Sequence, residues 1–168
     1  HGAIDVVTLA TQLASGELIT ELPKEPWPTL ARGVQILLDL SEAMLPYRQD
    51  QIRLIKQIKE TVGHDNVTVL NFSGSPIHGA GNGPRSTWGT YRPPPHGTPV
   101  LALTDLGIGR PTGRRIPVAA RDWLWVGDVL HKAACQLTFL TPYPPHRHPP
   151  ALRKRFPIIP WDRTTTSM

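Results

Sequence analysis

Two strand-like runs, Val34-Gln35-Ile36-Leu37-Leu38 and Val67-Thr68-Val69-Leu70-Asn71-Phe72, bracket a stretch with helical spacing. Across residues 48–62, Ile52, Ile55, Ile58 and Val62 recur on one face, Arg53, Lys56, Lys59 and Glu60 fall elsewhere, and Gly63 closes the pattern. A strand–helix–strand unit returns to a parallel neighbour by a right-handed crossover. The largely apolar first run, from about Gly33 to Leu38, reads as a strand covered on both faces. The chain is therefore expected to build a parallel α/β sheet.

The remaining elements extend this alternation. A third strand is expected over 99–104 and a fourth over 136–141. Between them, Trp123, Val126-Gly127, Leu130 and Ala134 mark the buried face of a helix from Val118 to Ala134. Residues 73–98 are dense in Gly and Pro and read as a long loop with at most one short edge strand. A last short strand at Pro157-Ile158-Ile159-Pro160 is confined by its prolines to a sheet edge. The fold class is α/β: a three-layer α/β/α sandwich around a central, mostly parallel sheet. Residues 1–32 read as an N-terminal helix over 4–14 followed by a proline-rich arm anchored by Trp27 and Leu30; 33–163 form the α/β domain, and 164–168 a polar linker to a further domain.

At 168 residues and 39% apolar content the chain holds one core rather than two. Its single cysteine, Cys135, excludes an internal disulfide framework and a multi-cysteine zinc site, and a cytoplasmic setting fits best. No stretch approaches the ~18 apolar residues of a membrane span, so no membrane is expected. The net charge of +5 gathers at Arg110 to Arg115 and at Arg147 with Arg153-Lys154-Arg155. Such clusters can hold phosphates, but without interleaved aromatics or a helix-turn-helix pattern nucleic acid is not the expected partner.

Asp39 and Asp105 each end a strand-like run, which in a parallel sheet brings both to the carboxyl edge, where such folds bind ligands. Three chemistries suit the pair. With Ser41 they offer oxygen ligands to a Mg²⁺ that keeps several waters. They can cap backbone amides at the strand ends. They can also serve acid–base hydrolysis, although no third group stands at a telling spacing. Cys135 reads as a small buried thiol, its alternative being a nucleophile paired with His131, His146 or His148. The His146-x-His148 pair, with His78, His96 or His131, offers zinc ligands at irregular spacing. Trp88, inside the long loop, is a candidate binding residue. Trp123 and Trp125 lie about 200° apart on a helix, so one of them must face away from the core.

The run Val34-Gln35-Ile36-Leu37-Leu38-Asp39-Leu40-Ser41-Glu42-Ala43-Met44 resembles the first strand and metal loop of von Willebrand factor A domains, which carry Asp-x-Ser-x-Ser at a metal-ion-dependent adhesion site. Asp39 and Ser41 match that pattern, and Ala43 stands where the second serine belongs. Leu101-Ala102-Leu103-Thr104-Asp105-Leu106-Gly107 is similar to the family's strand ending in Thr-Asp-Gly. Thr98 is not equated with the family's further threonine, because no helix separates it from the third strand. The segments Arg32 to Asp39, Thr141-Pro142-Tyr143-Pro144-Pro145 and Pro160-Trp161-Asp162-Arg163 also resemble degenerate A-type domains of bacterial conflict or signalling proteins, where they accompany ATPase, protease or formylglycine-generating-enzyme-like domains.

The resemblance implies a shortened, Rossmann-like von Willebrand factor A fold with a degenerate metal site. Its implied role is a non-catalytic protein–protein interaction module of a larger bacterial multidomain protein, bound to a partner protein or an adjacent domain through Asp39, Ser41 and Asp105, with Trp88 a further binding candidate read from the residues alone. The alternatives are a metal-assisted or cysteine hydrolase using the strand-end carboxylates or Cys135, and a phosphate-binding loop over 110–115.

Overall fold

The computed structural model describes residues 33–109 and 118–161. The expected helix over 4–14, the proline-rich arm, the basic loop and the terminal linker lie outside those residues. The elements are β1 (Val34–Asp39), α1 (Arg48–Val62), β2 (Val67–Phe72), β3 (Val100–Leu103), α2 (Val118–Lys132), β4 (Leu137–Thr141), the short α3 (Pro150–Arg153) and β5 (Ile158–Pro160). The five strands form one sheet in the order β2-β1-β3-β4-β5, and every pairing is parallel. Together with helices on both faces this is a three-layer, Rossmann-like α/β fold. The order reverses between β1 and β3, and their carboxyl ends flank the crevice where open α/β sheets bind ligands.

Each face of the sheet carries its own core, as the two-residue alternation of a strand requires. On the α1 face, buried Val34, Ile36 and Leu103 meet Leu54, Ile55, Ile58 and Val62 of the helix. On the α2 face, Leu37, Phe72, Val100, Ala102, Leu137 and Phe139 meet Trp123, Val126 and Leu130, with Leu152 of α3 joining them. Trp123 is fully buried. It stands edge-on to Phe72 at 5.5 Å and to Phe139 at 4.9 Å, and Phe139 meets Phe156 at 5.6 Å. Edge-to-face pairs of this kind add about 0.5–1.5 kcal/mol each beyond simple burial. Trp125 is 44% exposed, as its offset from Trp123 demands.

Two expectations need correction. Ile52 was expected on the buried face of α1, but it is 52% exposed and Gln51 is fully buried instead. The inward stripe is 51, 54, 55, 58 and 62, and Ile52 lies about 100° around the helix from its first member. Ala134 is not part of the buried face of α2: the helix ends at Lys132, and Ala134 is exposed in a left-handed turn with φ of 52°. The long loop 73–98 forms no strand; it is tied by two isolated antiparallel bridges, Asn71 with Gly81 and Ala80 with Gly89. Tyr91 pins its far end to the sheet by donating to the buried Gln35 Oε1 at 2.8 Å.

Gly127 lets α2 approach the α3–β5 connection. A β-carbon there would stand 2.2 Å from Phe156 Cζ. Gly127→Ala should therefore destabilise the fold by about 1–3 kcal/mol through overpacking, despite alanine's better helix propensity. Adding Phe156→Leu should recover part of that loss, and a double-mutant cycle by urea unfolding measures the coupling. Strict additivity would separate the two residues.

Candidate functional site

Asp39 is the last residue of β1 rather than the residue after it, and it is fully buried. Its Oδ1 accepts from the amides of Ser41 at 2.9 Å and Gly74 at 3.1 Å, and its Oδ2 accepts from Thr104 Oγ1 at 2.8 Å. One carboxylate thus ties the ends of β1, β2 and β3. Thr104 Oγ1 in turn accepts from the amide of Leu106 at 3.2 Å, so this hydroxyl is used as both donor and acceptor.

Asp105 is 2% exposed and closes its own turn: Oδ1 accepts from the Gly107 amide at 2.9 Å and Oδ2 from the Gly109 amide at 3.0 Å. Gly107 has a positive φ of 76°, which glycine adopts without steric cost, and Leu106 joins it in the left-handed region at 56°. Gly109 is required for a different reason, space. A β-carbon on it would lie 2.7 Å from Tyr143 Oη, 3.2 Å from Asp105 Oδ2 and 3.3 Å from Ala43 Cβ.

Ser41 begins the 3-10 turn Glu42–Tyr47, where serine ordinarily caps with its side chain. Here Ser41 makes no such cap, and its buried Oγ has no hydrogen-bond partner. An orphaned hydroxyl beside an acceptor-only carboxylate is a donor set that fits a hard, oxygen-seeking cation. The structure brings Asp39 and Ser41 into one loop and sets Asp105 beside Ala43 of the same loop. It does not bring Trp88 to them. The half-buried Trp88 ring packs on Gly79 and Gly81, its Nε1 donates to Gly83 O at 3.0 Å, and Arg85 lies 6.0 Å over it, all within the loop that follows β2.

Residues that were not singled out complete the edge. Gln51 Nε2 donates to Asp39 O at 3.0 Å and to Leu103 O at 3.4 Å, bridging β1 and β3 where their strands part. Arg48 Nη1 holds Gln51 Oε1 at 3.3 Å. The clue in the sequence was a polar residue in register with Leu54, Ile55, Ile58 and Val62. Tyr143, two residues beyond β4, meets Tyr47 edge-on at 6.0 Å, and Tyr47 meets Trp161 at 6.5 Å. Arg147 lies 4.5 Å over the Tyr143 ring. Burial raises the Tyr143 phenol above its ordinary value, and the hydrogen bond to Tyr47 and the charge of Asp105 push the same way, against Arg147. The phenol is therefore protonated at neutral pH.

Cys135 lies before β4, at the opposite end of the sheet from the aspartates. Its buried thiol lies against the carbonyls of Pro94, Pro95 and Ala133 rather than an imidazole. It shares a cavity of about 340 Å³ with His131, Gln136, Arg155 and Phe156. His148 is buried with Nε2 on Tyr143 O at 2.7 Å, whereas His146 is exposed. Among the described residues no group of three or more His, Cys, Asp or Glu side chains is placed to hold a metal ion, so the histidines form no zinc centre there. No helix among those residues is long and apolar enough to cross a membrane.

Compared with known proteins, the chain matches no family model, no curated protein and no solved structure.

The Gln51 bridge makes a direct prediction. Gln51→Leu keeps the volume and adds apolar surface, yet it leaves two carbonyls without their buried donor. It should cost about 1–3 kcal/mol in urea unfolding. A variant as stable as the native chain would mean that water replaces the amide at no cost.

Proposed function

We propose that the chain is a non-catalytic protein-interaction module of a larger bacterial protein, which binds a partner protein or an adjacent domain through the carboxyl edge of its sheet. The observation that carries this reading is an apolar rim on an immobilised edge. Leu45, 59% exposed, lies in the turn that Asp39 holds, and Ile52, 52% exposed, stands on the first turns of α1 behind it. Exposed large side chains on a fixed support lose little entropy on binding, which is what a hot spot requires. The aspartates support the same reading, because their contacts with the amides of Ser41, Gly74, Gly107 and Gly109 and with Thr104 fix the loops of this edge.

In this reading the edge is a shortened von Willebrand factor A-like site in which Mg²⁺ is held by Ser41 and the two carboxylates. Ala43 leaves such a site one hydroxyl poorer than the family pattern, so binding is weak and a partner's oxygen completes the shell. When bound, the cation supplies a positive anchor for an acidic group of the partner.

The test introduces charge into the apolar rim. Leu45→Glu and Ile52→Glu should each weaken capture of a partner by about thirtyfold, the equivalent of about 2 kcal/mol for a hot-spot residue. Trp125→Glu, on the far face, should leave capture unchanged in the same pull-down. The reverse pattern would move the interface to α2 and sink the carboxyl-edge reading.

A further inference from the structure

The β4–β5 ladder is open at its amino end. Gln136 and Leu140 turn their carbonyls toward β3, where Val100 N and Thr104 N donate to them at 2.9 and 3.1 Å. Backbone groups alternate sides along a strand, so Leu137, Phe139 and Thr141 face β5. Phe139 N donates to Pro157 O at 2.9 Å, and Trp161 N donates to Thr141 O at 2.8 Å. In that register the donor owed to Leu137 O is the nitrogen of Pro157, which carries no hydrogen. Leu137 N likewise has no backbone partner among the described residues, although Leu137 is buried. An interior donor and acceptor left side by side call for something that pairs with both.

The space beside them is the cavity of about 340 Å³, which Leu137, Pro157 and Arg155 all line. Continued by one more step, the same register sets Arg155 opposite Leu137 N. Its guanidinium lies 5.4 Å over the Phe156 ring and donates to Asp128 through Nη2, which fixes the group and leaves it further N–H donors. The exposed Lys132, Arg153 and Lys154 adjoin lining residues in the chain and bias the opening toward anions.

We propose that this cavity binds a carboxylate carried next to a secondary amide, the unit shared by an N-acylated amino acid and the end of a peptide chain. The ligand's carboxylate accepts from Leu137 N and Arg155, and its amide N–H donates to Leu137 O. Two residues facing each other in an antiparallel ladder exchange the same pair of hydrogen bonds. The volume suits one such unit, since small-ligand sites begin at about 300 Å³. The cavity lies at the opposite end of the sheet from Asp39 and Asp105, so it is independent of the carboxyl edge.

The experiment titrates the isotopically labelled native chain with N-acetylalanine and follows its amide resonances. A saturable shift of the Leu137 N–H with a Kd of about 1 mM is expected, the range a ligand of this size reaches. Acetate lacks the amide and N-acetylalaninamide lacks the carboxylate, and each should bind more weakly by about tenfold. Arg155→Gln should weaken N-acetylalanine binding by about tenfold, and Pro157→Ala, which returns an N–H to Leu137 O, should weaken it comparably. No saturable shift at Leu137, either control binding as tightly as N-acetylalanine, or native affinity in either variant overturns the proposal. Should one variant fail to fold, the other decides. An acetylated alanine tripeptide distinguishes the sources: tighter binding than N-acetylalanine assigns the site to a chain terminus and weaker binding to a free acylated amino acid, and both support the shared chemistry.

Discussion

The structure depends on what happens where β1 and β3 stop being neighbours. Two parallel strands that end side by side leave carbonyls and amides pointing into a crevice, and each unpaired buried group costs about 1–3 kcal/mol. Gln51 gives its amide to the carbonyls of Asp39 and Leu103, and Asp39 gives its carboxylate to Ser41, Gly74 and Thr104. The crevice is closed by side chains reaching in from a helix and from a strand end. A glutamine at the start of α1 therefore sets how that helix sits on the sheet.

This requirement also explains which parts of the fold were legible in the sequence. The strands, their parallel pairing and both long helices follow from apolar runs and helical spacing, because burial acts on every residue of an element at once, whereas the strand order was not read from the sequence. Gln51 was hidden for the same reason: an apolarity scan prefers Ile52, while the carbonyls of β1 and β3 demand a donor one position earlier. The places of Asp39 and Asp105 at the edge were legible, but their partners were not. Gly74 and Thr104 are 35 and 65 residues from Asp39, and no local pattern links them.

Glycine shows the same divide between local and distant causes. The left-handed turn at Gly107 is local and could be read from the spacing of Gly107 and Gly109. The need for glycine at 109 comes from Tyr143 and Ala43, which reach it from other segments. Trp88 was an interface candidate on composition alone, yet a loop with few apolar residues has its own need for cover. The tryptophan meets that need by packing over Gly79 and Gly81 with its indole N–H on Gly83.

The chemistry of the edge follows from how its oxygens are engaged. A general base must have a lone pair directed at a substrate proton, and a nucleophile must have a base within hydrogen-bond reach. Asp39 is enclosed by two amides and a hydroxyl, and Cys135 lies against carbonyls at the far end of the strands. In the proposed reading, a held backbone, the unpartnered Ser41 hydroxyl and the exposed Leu45 and Ile52 side chains serve recognition. They hold a shape that a partner can meet without first ordering it, which lowers the entropy cost of association.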